Sequence, residues 1–176
     1  ERSSNKLNSN TASIGNCFKE IKIRKGDRIA AYMPNCIEAV EAFIATSSIG
    51  GIWSSCSPDF GADGVIERFS QINPRVLFIT DQYFYNGKKI KIIGRLSKIL
   101  KLIPSIKTVI IVNYPGKKFL KNYKKFKQQQ LLKWTDCFKK KPQEINFKKY
   151  DFEKELAILY SRGTTGKPKC KWHRAG

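Results

Sequence analysis

Leu156-Ala157-Ile158-Leu159-Tyr160-Ser161-Arg162-Gly163-Thr164-Thr165-Gly166-Lys167-Pro168-Lys169 runs from four apolar residues into a polar loop near the end of the 176-residue chain. The apolar run has the length and composition of a buried strand, and a loop at a strand end is held in place by the sheet. Gly163 and Gly166 allow backbone N–H groups to converge on an anion. Ser161, Thr164 and Thr165 add hydroxyl donors, and Lys167 and Lys169 add positive charge. Pro168 fixes its own φ and biases Lys167 toward extended backbone, so the loop is predicted to leave without winding into a helix. That separates it from the Walker A loop, in which Gly, four residues and Gly-Lys are followed by Ser or Thr entering a helix. Here Ser161 takes the place of the first glycine and Pro168 follows the lysine. The residues alone leave two readings, a phosphate-binding loop and an ordinary Gly/Thr hairpin turn.

Upstream, apolar strands alternate with amphipathic helices. Residues Glu1 to Asn10 are polar and read as frayed or as part of a helix. Gly26-Asp27 marks a turn, and Arg28 to Met33 is the first strand. Asn35 is placed to cap a helix that Glu38 supports from three residues on, with Ile37, Val40, Phe43, Ile44 and Ser47 at helical spacing and Gly50-Gly51 as its stop. Ile52 to Ser55 is a second short strand, ending at the turn Ser57-Pro58-Asp59. A helix over about Ala62 to Ile72 follows, with Val65, Ile66, Phe69 and Ile72 on one face until Asn73-Pro74 breaks it. Arg75 to Thr80 and Thr108 to Val112 are continuous apolar strands, and Lys88 to Ile103 reads as the helix between them. Strands without polar alternation, separated by helices, predict an α/β fold with a parallel sheet covered by helices on both faces.

The formal charge is +20, from 34 Lys+Arg against 14 Asp+Glu, which on its face suits nucleic acid or another polyanion. The excess is local. Gly26 to Thr80 contains no lysine, whereas Gly116 to Tyr150 holds twelve lysines against Asp136 and Glu144. Lysine lacks the bidentate geometry that base recognition uses, so a solvated lysine-rich insertion over 116–150 is favoured and nucleic acid is an unlikely partner. Interleaved Phe119, Tyr123, Phe126, Trp134 and Phe147 keep a single-strand-stacking reading open. Five cysteines without C-x-x-C spacing argue against a zinc site or disulfide framework and fit reduced thiols in the cytoplasm. No run is apolar enough for a membrane span.

The loop closely resembles Tyr-Ser-Ser-Gly-Thr-Thr-Gly-x-Pro-Lys, the phosphate loop of the adenylate-forming superfamily of acyl-coenzyme A synthetases. Gly26-Asp27-Arg28, Tyr32-Met33-Pro34-Asn35, the string Trp53-Ser54-Ser55-Cys56-Ser57-Pro58-Asp59-Phe60-Gly61, and Arg68-Phe69-Ser70-Gln71-Ile72 are similar to the acetoacetyl-coenzyme A synthetases within it. The resemblance implies that residues 1–176 are an incomplete N-terminal domain of the adenylate-forming fold, cut at both ends and lacking the C-terminal lid domain. It implies ATP, magnesium and coenzyme A, with acetoacetate or a similar short acyl acid as the small-molecule substrate, and no synthetase activity for the isolated chain. Ser161, Gly163, Thr164, Thr165, Gly166, Lys167 and Lys169 are then expected on the ATP phosphates. Asn86, Gly87, Lys88 and Lys89, an Asn-Gly turn followed by two cations, are expected on coenzyme A. Trp53 either approaches an acyl pocket or belongs to the core, and His173 reads as an ordinary strand residue. Arg162 stands where the pattern has serine, and is expected to weaken ATP binding unless it turns outward.

Overall fold

The structure, a computed structural model, describes residues 3–114, 126, 128–139, 144, 145, 147–161, 166 and 168–176. In chain order α1 (Ser4–Glu20), β1 (Arg28–Tyr32), α2 (Ile37–Ser48), β2 (Ile52–Cys56), α3 (Ala62–Ile72), β3 (Val76–Thr80), β4 (Gln82–Tyr85), β5 (Lys88–Lys91), α4 (Leu96–Leu102), β6 (Thr108–Val112), β7 (Gln130–Lys133), β8 (Glu155–Ser161) and β9 (Lys169–Arg174) succeed one another. Short 3-10 helices cover Ile93–Arg95 and Trp134–Phe138.

Successive side chains of a strand point to opposite faces, and β1, β3 and β6 have apolar residues at both parities. Ala30, Tyr32, Leu77, Ile79, Val109 and Ile111 meet α3 and α4 on one face, while Ile29, Ala31, Val76, Phe78, Ile110 and Val112 meet α1 and α2 on the other. The main sheet has the order β7-β6-β3-β1-β2-β8-β9. Its pairs are parallel except for β8 with β9, which run antiparallel at one edge. The expected two-faced α/β sheet is therefore present.

Several local expectations are corrected. Of the two readings of the polar start the helical one holds, α1 being capped by Ser3, whose side chain accepts from the Lys6 N–H, while the buried Thr11 and Ser13 hydroxyls donate to the carbonyls of Leu7 and Ser9. Asn35 does not cap α2: Cys36 holds that position in extended backbone, without a side-chain capping bond. The buried face of α2 is Glu41, Ala42, Ala45, Thr46 and Ser48, whereas Ile37 and Val40 are 36% and 45% exposed. The helix turns its small residues to the sheet, which lets it pack closely, and leaves its larger apolar stripe outside.

Lys88 to Ile103 is not one helix. Asn86 and Gly87 both take positive φ, 47° and 70°, and join β4 to β5 in a two-residue hairpin turn. The helix starts only at Leu96, and its inward residues Leu96, Ile99 and Leu100 are buried. β8 is also less buried than its apolar run suggested: Ile158 is fully covered, while Leu159 is 46% exposed on the strand next to the sheet edge. Within the lysine-rich stretch, Gln130–Lys133 adds β7 beside β6, and Trp134 sets its ring 6.1 Å from that of Phe78. Tyr150 lies against the turn after α2, where Gly50 has φ 69° and an added Cβ would come within 2.6 Å of its ring.

Candidate functional site

From β1 the chain crosses through α2 to β2 on one side, then returns through α3 to β3 on the other side of β1. Such a reversal leaves a crevice at the carboxyl ends of the two strands. A cleft of about 790 Å³ opens there, lined by Met33, Pro34 and Cys36 after β1, by Ser57, Pro58 and Asp59 after β2, and by Tyr83, Phe84 and Tyr85 of β4. Ile37 and Val40, the exposed apolar residues of α2, form one wall together with Phe43, whose ring packs on Trp53. Trp53 follows the core reading, being 7% exposed beside Phe43 and Phe78, and it also lines the cleft.

Arg95 fixes the rim. Its Nη1 donates to the carbonyls of Pro58 and Phe60, each at 3.0 Å, and to the Tyr32 hydroxyl, which itself bonds the same two carbonyls. Tyr83 bonds Asp59 from the other side, and burial followed by that bond raises its pKa. Sequence reasoning missed Arg95 and the cleft. The available signal was the alternating Tyr83-Phe84-Tyr85 before Asn-Gly, a hairpin pattern beside the expected switch point.

Burial pushes the Cys36 thiol up to about 11 and the Cys56 thiol up to about 12. A thiol of pKa 11 is about 0.1% ionised at pH 8, and the thiolate is the reactive species. Iodoacetamide labelling of Cys36 in the native chain is thus expected to be about 100-fold slower than that of a free cysteine at pH 8. It should quicken about tenfold per pH unit up to pH 10, as followed by peptide mass spectrometry. A pH-independent rate would mean that the thiol is already ionised.

Of the expected binding residues, Ser161 stands at the carboxyl end of β8, and Asn86, Gly87, Lys88 and Lys89 stand on the β4–β5 hairpin that follows β3. β8 pairs with β2 in parallel, Trp53 opposite Ala157 and Ser54 opposite Ile158, and Ser54 Oγ donates to the Ile158 carbonyl at 2.9 Å. The carboxyl end of β8, at Ser161, accordingly lies on the same side of the sheet as the cleft. Ser161 is half-buried and pairs with Lys169, the exposed first residue of β9, its Oγ 3.4 Å from the Lys169 carbonyl. Gly166 is exposed, with nothing within 4 Å of an added Cβ. Gly163, Thr164, Thr165 and Lys167, and with them Arg162, lie outside the described residues. Pro168 leads into β9 rather than a helix, and Gln71 of α3 donates to its carbonyl at 2.9 Å. Burial raises the Tyr160 hydroxyl despite its bond to Ser54. His173 is an exposed residue of β9, and Arg174 pairs with Glu153.

Asn86, Gly87, Lys88 and Lys89 are exposed at the tip and outer strand of the β4–β5 hairpin, beyond the cleft rim. In the strand order β1 and β2 lie between β3, which leads into this hairpin, and β8, which ends at Ser161. Among the described residues no group of three or more His, Cys, Asp or Glu side chains is placed to hold a metal ion, and no helix is long and apolar enough to cross a membrane.

The AMP-binding enzyme family matches residues 3–174. An acetoacetyl-CoA synthetase of Xenopus tropicalis is 38% identical over 173 residues, which is 97% of this chain and 26% of that protein. One from Rhizobium meliloti (strain 1021) is 40% identical over 154 residues, covering 88% of this chain and 23% of its own length. Among solved structures, acetoacetyl-CoA synthetase from Streptomyces lividans superposes with a TM-score of 0.84 at 33% identity, covering 96% of this chain and 25% of that one. The chain thus spans about a quarter of the length of the relatives it matches.

Proposed function

We propose, on the premise that this chain belongs to the AMP-binding enzyme family, that it supplies the phosphate loop and part of the coenzyme A cleft of an ATP-dependent acid-CoA ligase acting on acetoacetate. One observation carries the reading. β8 docks parallel to β2, so Ser161 at the carboxyl end of β8 and the cleft at the carboxyl end of β2 lie at the same edge of the sheet.

In the first half-reaction the acid's carboxylate oxygen attacks the α-phosphorus of ATP. The bond to the β-phosphate oxygen breaks, and acyl-AMP and pyrophosphate form. Ser161, Gly163, Thr164, Thr165, Gly166, Lys167 and Lys169 would grip the β- and γ-phosphates, aligning the leaving group and meeting the charge it gains. In the second half-reaction the coenzyme A thiol attacks the acyl carbonyl and AMP departs. An apolar, aromatic-lined cleft with Lys88 and Lys89 beyond its rim suits a nucleotide that carries phosphates. The resemblance also implies magnesium, which the ATP phosphates would largely hold and which would offset the charge they carry. The described cysteines are all free thiols, as a reducing compartment such as the cytoplasm would keep them.

The test uses a polypeptide of the relatives' full length that includes this chain. Acetoacetate-dependent exchange between ATP and pyrophosphate, several-fold above that with acetate, propionate or butyrate, is the expected result. Preference for one of the other acids would assign a different short-chain synthetase, and no exchange with any of them would refute the ligase reading. In the same protein, Lys88→Ala with Lys89→Ala is expected to raise KM for coenzyme A about 10- to 100-fold while leaving the exchange reaction, which needs no coenzyme A, within about twofold. An unchanged KM would remove the hairpin from the site.

A further inference from the structure

Cys17 of α1 and Cys137 of the 3-10 helix Trp134–Phe138 lie 120 residues apart in sequence and meet in the core beneath one face of the sheet. The Cys137 S–H donates to the Cys17 sulfur at 2.9 Å, within about 1 Å of the length of an S–S bond. Each residue is 6% exposed, so packing rather than chance encounter sets their approach. Phe18, Trp134 and Phe138 belong to the same cluster.

We propose that Cys17 and Cys137 are a redox pair that closes a disulfide in the presence of a peroxide, tying α1 to the segment that carries β7. The two sulfurs have different parts. The bond from Cys137 favours the ionised form of Cys17 and lowers its pKa, against the opposing effects of burial and of the Glu20 and Asp136 carboxylates that face it. The same bond, then burial, holds the proton on Cys137. Cys17 is therefore the attacking sulfur. Its thiolate takes one peroxide oxygen, the O–O bond breaks, and hydroxide leaves to become water with the thiol's former proton. Cys137 then displaces the hydroxyl of the Cys17 sulfenic acid; the S–S bond forms, and the Cys137 proton departs with that hydroxyl as a second water. The two thiols lose two electrons and the peroxide gains them. A small oxidant suits so narrow an approach, and Cys36, Cys56 and Cys170, whose pKa values burial raises, are slower targets.

The experiment treats the reduced full chain with equimolar hydrogen peroxide, blocks remaining thiols with N-ethylmaleimide after denaturation, and maps peptides without reductant by mass spectrometry. A Cys17–Cys137 linked pair, two hydrogens lighter than its parts, is expected before the other three cysteines react. It should vanish on reduction, and the linked chain should melt about 5–10 °C higher, as a long closed loop predicts. Maleimide on both Cys17 and Cys137 while other cysteines oxidise would overturn the proposal, as would sulfinic acid on Cys17 without linkage. A linked chain with an unchanged Tm would refute the tie between the two segments. In Cys137→Ser, a sulfenic acid trapped by dimedone on Cys17 is expected, and a disulfide from Cys17 to a different cysteine would show the partner to be wrong.

Discussion

Phe78→Ala is expected to lower stability by about 3–5 kcal/mol, the range for truncating a fully buried phenylalanine. Phe78 is the middle residue of β3, has no exposed surface, and stands among three rings: Phe18 at 6.0 Å, Trp53 at 6.3 Å and Trp134 at 6.1 Å between centroids. These come from α1, from β2 and from the segment after β7. The cavity would open where three parts of the chain converge, and a domain stabilised by about 5–15 kcal/mol would lose much of its margin. Urea unfolding measures it. Phe84→Ala, on a residue 50% exposed at the cleft rim, is the control and should cost well under 1 kcal/mol. A loss below about 1 kcal/mol at Phe78 would mean that the three rings do not meet around it.

Thr164→Val with Thr165→Val, in the polypeptide of the relatives' full length, is expected to slow ATP–pyrophosphate exchange by about 10²–10³-fold. Valine keeps the shape of threonine and deletes the hydroxyl, so the change removes donors without opening the loop. If these hydroxyls meet charge that grows as pyrophosphate leaves, the loss falls on kcat with little change in KM for the acid. A loss confined to KM for ATP would assign them to ground-state binding. Exchange within threefold of the parent would take the hydroxyls out of the reaction.

Much of the fold was legible in the sequence because its decisive strands lack alternation. Val76 to Thr80 and Thr108 to Val112 are covered on both faces, and continuous apolar runs of that length are the pattern a doubly covered parallel sheet requires. α2 was misread because periodicity reports that a helix has an apolar stripe, not which surface the stripe meets. Its stripe lines a cleft, and Ala42, Ala45 and Thr46 face the sheet instead. The Asn86-Gly87 turn is legible as a turn, yet the lysines and isoleucines from Lys88 onward read as a helix and hid β5, the strand that follows it. Gly163 and Thr164 could be singled out because a phosphate loop is contiguous in sequence. The cleft was not legible: its walls come from three separate loops, and only the strand order brings them together.

Ser54 and Ile158, which bond across β2 and β8, are 104 residues apart. During synthesis β2 therefore stands with one edge unsatisfied until the 104 residues from Ser54 to Ile158 have been made, and an open strand edge is a template for wrong pairing. Closing so large a loop is slow, so β8 joins a sheet whose other half can assemble from nearer neighbours. The strand that leads to Ser161 thus finds its place on a nascent chain only after its neighbours have paired, and that is the stage at which the open edge of β2 most needs a chaperone.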